Sequence, residues 1–182
     1  MLEIIVPASE FFDEASQEFC SMKSCVLRLE HSLVSISKWE SKYHKPFLSD
    51  DQKTDEEALD YIRFMTLTQN VNPTVYLGLT SELYDKINAY LMDPMTATTF
   101  SNIEKRQDPF ARSVVTSELI YYWMTALNIP MECQKWHINR LLTLIRVASI
   151  KNQAEKKMDR QSQAEMYARL NAERRKQMGT SG

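Results

Sequence analysis

Hydrophobic residues recur along this chain mostly at intervals of three and four positions, which is the spacing of one face of an α-helix. Residues 32–43 follow this pattern and predict a first helix. Thr54 and Glu57 form a capping-box sequence, in which the Thr54 hydroxyl accepts from the Glu57 amide and Glu57 reaches back, so a second helix is predicted after Thr54. Thr80 or Ser81 caps a predicted third helix, which Pro94 ends.

Two segments near the N-terminus are instead typical of β-strands. Residues 2–6 are mostly apolar, include three β-branched side chains and are closed by Pro7. Residues 25–30 partly alternate between apolar and polar, so we expect them to pair with 2–6 in a small hairpin-like element. Residues 95–100 are β-prone and predict a third short strand or an extended loop, and the polar residues 101–113 predict a mobile loop.

Residues 117–150 predict two apolar helices joined at Pro130. The first follows Thr116 or Ser117, and the second, the longest of the chain, is expected to begin at Asn128 to Pro130. The residues that we expect the first to bury are Leu119, Tyr122, Trp123 and Ala126. The residues expected to fix the core of the body are Trp39, Trp123, Trp136 and His137.

Beyond Ile150 the composition changes. Residues 151–178 are rich in Gln, Ala, Glu, Lys and Arg and contain no Gly or Pro, which indicates high helix propensity. Met166 and Leu170 form only a weak apolar stripe there, as in a helix that docks on a partner or stands alone. We therefore predict a mainly α protein: a compact helical body with short N-terminal strands, residues 1–150, and a basic helical C-terminal arm, residues 151–182.

Charge supports this division. The net charge of the 182 residues is −2, but residues 1–110 hold 10 basic and 18 acidic residues, whereas residues 111–182 hold 12 and 6. A basic arm suits an acidic partner or nucleic acid, and a solvated helix explains it equally. Residues 151–178 carry a surplus of only +4, which is small for nucleic-acid binding. Arg169, Arg174, Arg175 and Lys176 are our candidate partner-binding residues.

The sequence offers little catalytic chemistry. Cys133 and His137 have the i, i+4 spacing of one helix face, which would suit a nucleophile and its base or two metal ligands. No third group is placed beside them, so we interpret the pair as structural. His31 and His44 share no motif with them.

Other site classes are also disfavoured. The only glycines are Gly78, Gly179 and Gly182, too few and too scattered for a phosphate-binding loop. The acidic residues around Asp50 to Asp60 lack the glycine of a calcium loop and suit a helix N-terminus. Cys20 and Cys25 lack a second metal-binding pair. We therefore predict no catalytic, metal or cofactor site, no enzyme activity, and reduced thiols in a protein with no apolar stretch long enough to span a bilayer.

Several segments together resemble a family of long-tailed phage proteins encoded among tail genes and known as tail assembly chaperones. The resemblance covers most of the chain and is carried by residues 29–42 (LEHSLVSISKWESK), 45–48 (KPFL), 61–68 (YIRFMTLT), 87–90 (INAY), 95–98 (MTAT), 117–124 (SELIYYWM), 133–146 (CQKWHINRLLTLIR) and 170–177 (LNAERRKQ). The family has a Pro-Pro break before its Lys-Lys-Met motif, where this chain has Ala154 and Glu155. The resemblance therefore leaves room for a helix that continues past Lys157.

The resemblance implies a non-enzymatic function. Such chaperones coat the tape measure protein in the host cytoplasm, bring tail tube subunits to it, and are absent from the finished virion. On this hypothesis the partners are the tape measure and tail tube proteins, homo-oligomers are conceivable, and membranes and nucleic acids are not expected partners. The alternatives are a structural virion component, such as a head–tail completion or minor tail protein, and a nucleic-acid-binding regulator.

Overall fold

The computed structural model describes residues 1–13, 18–100 and 114–178, with side chains except at 11–13, 18–20, 154–159, 161 and 176–178. These residues form a mainly α protein with a small antiparallel β element at the N-terminus, which confirms the predicted fold class. The loop predicted at 101–113 lies outside the described residues.

The β element consists of two successive antiparallel pairs. Strand β1 (Leu2–Val6) pairs with β4 (Cys25–Leu29), as predicted, and β2 (Ser9–Asp13) pairs with β3 (Glu18–Met22). The register continues from the first pair to the second: Val6 lies opposite Cys25, and three positions further along β2 begins with Ser9 opposite Met22. Pro7, which has no amide hydrogen to donate, lies between β1 and β2, where the ladder is interrupted.

Alternation along β1 and β4 creates a core-facing side. Ile4 and Val6 on β1, with Leu27 and Leu29 on β4, are at most 3% exposed. The alternate residues, such as Ile5, are exposed on the other face. Thr66 forms an isolated β-bridge with Leu29, the last residue of β4, and the Leu67 amide donates to the Arg28 carbonyl at 2.7 Å. The segment at Thr66 and Leu67 therefore covers the outer edge of β4.

Helices α1 (Leu33–Tyr43) and α2 (Asp55–Met65) pack against each other, and it is the third helix, described below, that packs against β1. Ser32 caps α1 and exchanges hydrogen bonds with Ser35. The Thr54–Glu57 capping box predicted for α2 is confirmed, with the Thr54 amide donating to Glu57 at 2.9 Å. Their buried hydrophobic residues, at the expected helical spacing, are Leu33, Ile36, Trp39, Tyr61, Ile62 and Met65.

A 3-10 helix over Pro73–Gly78 leads into α3 (Ser81–Met92), which agrees with the predicted third helix. Leu83, Ile87 and Tyr90 are its buried residues. Residues 95–100 have no regular structure, so of the two forms predicted for them the strand does not form.

Helix α4 (Ser117–Ala126) begins after Thr116, whose hydroxyl accepts from the Leu119 amide. The face predicted for it was partly wrong. Ile120 and Met124 are buried, whereas Tyr122 is 66% exposed and Ala126 is also exposed. Both sides of this short helix carry apolar residues, so spacing alone did not identify the buried one.

We expected the longest helix to begin at Asn128 to Pro130, and this prediction was wrong. A 3-10 helix over Met131–Lys135 comes first, and α5 runs over Ile138–Met178. The chain turns before it at Asn128, which adopts a left-handed conformation with φ 53°. It is extended again at Trp136, with ψ 161°, so one helix cannot continue through the joint.

The chain divides into two compact units, Met1–Thr143 and Leu144–Gly182. The division falls after the first residues of α5, and the expected boundary at 150/151 lies within that helix. In the first unit the core contains Trp39 and His137 as expected, at 1% and 5% exposure. Trp123 and Trp136 are only half-buried, and the Arg140 guanidinium lies 4.3 Å from the Trp136 ring centroid.

Candidate functional site

A buried junction joins three segments of the first unit. The Ile138 amide donates to the His31 carbonyl at 2.7 Å, and Ser32 pairs with His137 in an isolated β-bridge. The Glu30 amide donates to the Met65 carbonyl at 2.9 Å. These contacts place two histidines, 106 positions apart in sequence, with ring centroids 5.0 Å apart.

His137 holds the start of α5. Its carbonyl accepts from the Leu141 amide, and its Nδ1 accepts from the Asn139 amide at 3.3 Å, which makes it the N-cap residue. Its Nε2 donates to the Tyr90 carbonyl at 3.0 Å. With one nitrogen accepting and the other donating, the imidazole is neutral, and burial lowers its pKa. Cys133 lies in the preceding 3-10 helix. The prediction that Cys133 and His137 share one helix face was therefore wrong.

His31 is fixed by aromatic neighbours. Its Nδ1 forms a short hydrogen bond with the Tyr61 hydroxyl, and its ring meets the His137 ring edge-on, at 80°. Burial, with a smaller contribution from His137, lowers the pKa of His31 to about 3. Burial also raises the pKa of Tyr61 well above its usual range. All of these groups are therefore uncharged near neutral pH.

The network ends at a carboxylate. The Tyr90 hydroxyl donates to Glu30 at 2.7 Å, and the Met1 ammonium group lies 3.0 Å from the other oxygen of Glu30. Among the described residues every buried side-chain nitrogen and oxygen has a hydrogen-bond partner. The junction therefore has the properties of a satisfied polar core, which fixes geometry, rather than of a catalytic site with an available base.

Two further buried acids also act as structural anchors. Glu40, 8% exposed, accepts from the Phe47 amide at 2.8 Å and from the Ser117 amide at 2.7 Å. It thus ties α1 to the loop that follows it and to the N-terminus of α4. Asp60 forms ion pairs with Lys42 and Arg63.

Neither a metal site nor a membrane span emerges in the described part of the chain. No three His, Cys, Asp or Glu side chains come together there as metal ligands. Cys25 and Cys133 are free thiols. None of the helices described is both long and apolar enough to cross a membrane. One surface depression, of about 260 Å³, lies between Trp39 and Lys53.

The arm differs from the junction in its exposure. Arg169, Arg174 and Arg175 lie on α5 with exposed side chains, while the side chain of Lys176 is outside the described set. On the same stretch of α5, Met166 is 56% exposed and Leu170 is 42% exposed. The stripe noted in the sequence is thus an exposed apolar surface.

Two residues of these surfaces were not identified from the sequence, one on the arm and one in the junction. Tyr167, 62% exposed, belongs to the arm surface, and its position one turn before Leu170 could have revealed it. His31 belongs to the junction, and only the fold brings it to His137.

No family model, curated protein or solved structure matches this chain.

Proposed function

We propose that this protein is a non-enzymatic tail assembly chaperone of a long-tailed phage, which binds the tape measure protein and assists tail tube assembly. It would act in the host cytoplasm and leave before the virion is complete. The motifs that resemble such chaperones support this proposal, and so does the contrast between a hydrogen-bonded junction and an arm with exposed apolar residues.

The observation that carries the proposal is the exposure of Met166, Tyr167 and Leu170 on one helix. A tape measure protein is a long helix with apolar stripes that would aggregate until the tube surrounds it. An amphipathic helix can cover such a stripe through contacts three and four residues apart. Methionine adapts well to varied apolar surfaces because its side chain is flexible and polarisable.

The test is co-expression of the full chain with the tape measure protein of the same phage. We expect the tape measure protein to remain soluble and to co-purify with the chain. Replacing Met166 and Leu170 together by Gln keeps helix propensity and removes the apolar contacts, so recovery of soluble tape measure protein should fall. Tyr122→Gln, which changes an exposed aromatic residue of α4, is the matched control and should leave recovery unchanged.

Insolubility of the tape measure protein with the unchanged chain would contradict the proposal. Abundant chain in purified virions would do so as well, because a chaperone leaves the particle whereas a structural component remains.

A further inference from the structure

We propose that His137 and Asn139 form an acid-sensitive clasp between the end of α3 and the start of α5. The clasp is closed while His137 is neutral, and it opens locally, before the rest of the first unit unfolds, when His137 takes up a proton. Its residues all lie in the first unit, and its action does not depend on the partner proposed above.

The clasp supplies donors to the end of α3. The last carbonyl groups of an α-helix have no amide partner within the helix, so a side chain or water must bind them. The Asn139 side-chain amide donates to the Leu91 carbonyl at 3.1 Å and to the Asp93 carbonyl at 2.7 Å. His137 Nε2 donates to the Tyr90 carbonyl at 3.0 Å. Two side chains at the start of α5 therefore hold three carbonyls at the end of α3.

The same residues also hold the start of α5. His137 Nδ1 accepts from the Asn139 amide at 3.3 Å, and the His137 carbonyl accepts from the Leu141 amide at 3.1 Å. The Ile138 amide donates to the His31 carbonyl at 2.7 Å. Because this one segment binds both helix ends, a change that displaces the His137 ring loosens the two ends together.

Protonation of His137 opposes the closed clasp. A protonated imidazole donates from both nitrogens, so its Nδ1–H would point at the Asn139 amide, which is itself a donor. The positive charge would lie at the N-terminus of α5, where the helix dipole is also positive. It would also lie beside the His31 ring, whose centroid is 5.0 Å from that of His137. The charged ring therefore leaves this position more readily than the neutral ring.

Titratable groups around His137 influence its charge in both directions. They come from the elements packed against the ring: Glu30 after β4, Tyr90 and Asp93 at the end of α3, the Met1 ammonium group, and His31, behind which lies Tyr61 of α2. Burial is the largest influence and lowers the pKa of His137, and the ammonium group acts with it. The Tyr90 carbonyl and the two carboxylates act the other way without reversing the shift. Opening removes the burial, so the open state binds the proton more tightly.

The end of α3 can open while α2 stays closed. The chain leaves α3 through Met95, which has a left-handed φ of 50° that a residue with a side chain rarely adopts. Opening of the clasp allows this turn to relax. By contrast, α2 is capped by Glu57, whose pKa is lowered by hydrogen bonds from Lys45 and from the Thr54 amide. The cap of α2 therefore keeps its charge between pH 7 and pH 5.

Hydrogen exchange of the full chain at pH 7 and pH 5, followed by NMR, measures this opening. Rates are expressed as protection factors, which removes the intrinsic pH dependence of exchange. Uptake of one proton raises the equilibrium constant for opening by up to about tenfold for each pH unit below 6.5. Between pH 7 and pH 5 we expect protection of Ile138, Leu141 and the last turn of α3 to fall about tenfold more than protection of the buried Ile62 in α2.

Variants separate titration from a purely structural role. Asparagine is a good N-cap residue and does not titrate, so His137→Asn should abolish the difference between pH 7 and pH 5 even if it lowers protection at both. Asn139→Ala removes donors from the end of α3 and should lower protection of its last turn at least about fivefold at both pH values. Asn88→Ala, at an exposed position of α3, is the matched control and should leave protection unchanged.

NMR titration of the His137 ring in the unchanged chain needs no variant. We expect the ring to titrate over the pH range in which protection of Ile138 and Leu141 is lost. A ring that stays neutral while their protection falls would overturn the proposal, and so would an equal loss of protection at Ile62. Protection that is constant from pH 7 to pH 5, or a pH response that survives in His137→Asn, would overturn it as well.

Discussion

Two regions of the molecule combine apolar and polar side chains: the junction around His31 and His137, and the arm face around Met166 and Leu170. They differ in whether the polar side chains are buried and hydrogen-bonded or exposed to solvent. In the junction the described polar atoms are buried and paired, and the imidazoles are neutral. On the arm the arginines and the apolar residues are exposed side by side. The first arrangement fixes one conformation, and the second leaves apolar side chains exposed to solvent, which is the surface that we propose a partner covers.

The largest difference should appear between removal of a core aromatic residue of the first unit and removal of an aromatic residue of the arm. Trp39 is 1% exposed and donates to the Glu57 carbonyl at 2.9 Å. Trp39→Ala should lower the free energy of unfolding by about 4 kcal/mol, through a cavity and a lost hydrogen bond. Tyr167→Ala should change it by less than about 0.5 kcal/mol. Urea unfolding followed by circular dichroism measures both, and equal effects would refute the comparison.

The next largest difference in the free energy of unfolding should appear when a glutamate is replaced in the first unit and on the arm. Glu40→Ala leaves the Phe47 and Ser117 amides without their acceptor, so we expect a loss of about 3 kcal/mol in the free energy of unfolding. Glu40→Gln, which keeps one acceptor oxygen, should lose less. The matched control is Glu165→Ala on the arm, for which we expect almost no change. A neutral result for Glu40→Ala would show that these two hydrogen bonds do not anchor α4.

A smaller effect should follow a change of pH. The pKa of His31 is about 3 in the folded chain, below its ordinary value of 6.5. Between these values the unfolded state binds more protons, so stability is complete above pH 6.5 and falls as the pH falls toward 3. Between pH 7 and pH 5 the expected loss from His31 is about 2 kcal/mol, and the lowered pKa of His137 adds in the same direction.

Asp60 contributes almost nothing to the change in stability between pH 7 and pH 5. Although burial opposes it, hydrogen bonds from Lys42, Tyr43 and Arg63 lower the pKa of Asp60 to about 2, so its loss of stability begins below pH 4. His137→Asn keeps an N-cap acceptor and removes one titrating ring, so it should reduce the dependence on pH. Stability that is constant or rises between pH 7 and pH 5 would contradict the assignment of neutral buried histidines.

The sequence predicted those parts of the fold that depend on local patterns. The Thr54–Glu57 capping box, the strands predicted at 2–6 and 25–30, and helices α1 and α3 were recovered because caps, spacing and Pro residues act within a few positions, although β4 ends at Leu29. Strands β2 and β3 were missed, since Ser9–Asp13 does not alternate cleanly between apolar and polar residues.

Longer-range features were less accessible. Pro130 can begin a helix, but here it precedes a 3-10 turn, and the N-cap of α5 is His137, an unusual residue in that role. The proximity of His31 and His137 arises from the pairing of Ser32 with His137, which no spacing indicates. The candidate arm residues Arg169, Arg174 and Arg175 are exposed, and their role stays a prediction.

Hydrogen exchange of the full chain, alone and in complex with the tape measure protein of the same phage, tests the central claim most directly. We predict that amides of residues 160–175 exchange more slowly in the complex, while those of α1 and of the segment around His137 keep the rates of the free protein. Protection that appears in the body and leaves 160–175 unchanged would contradict the assignment of the arm as the docking surface.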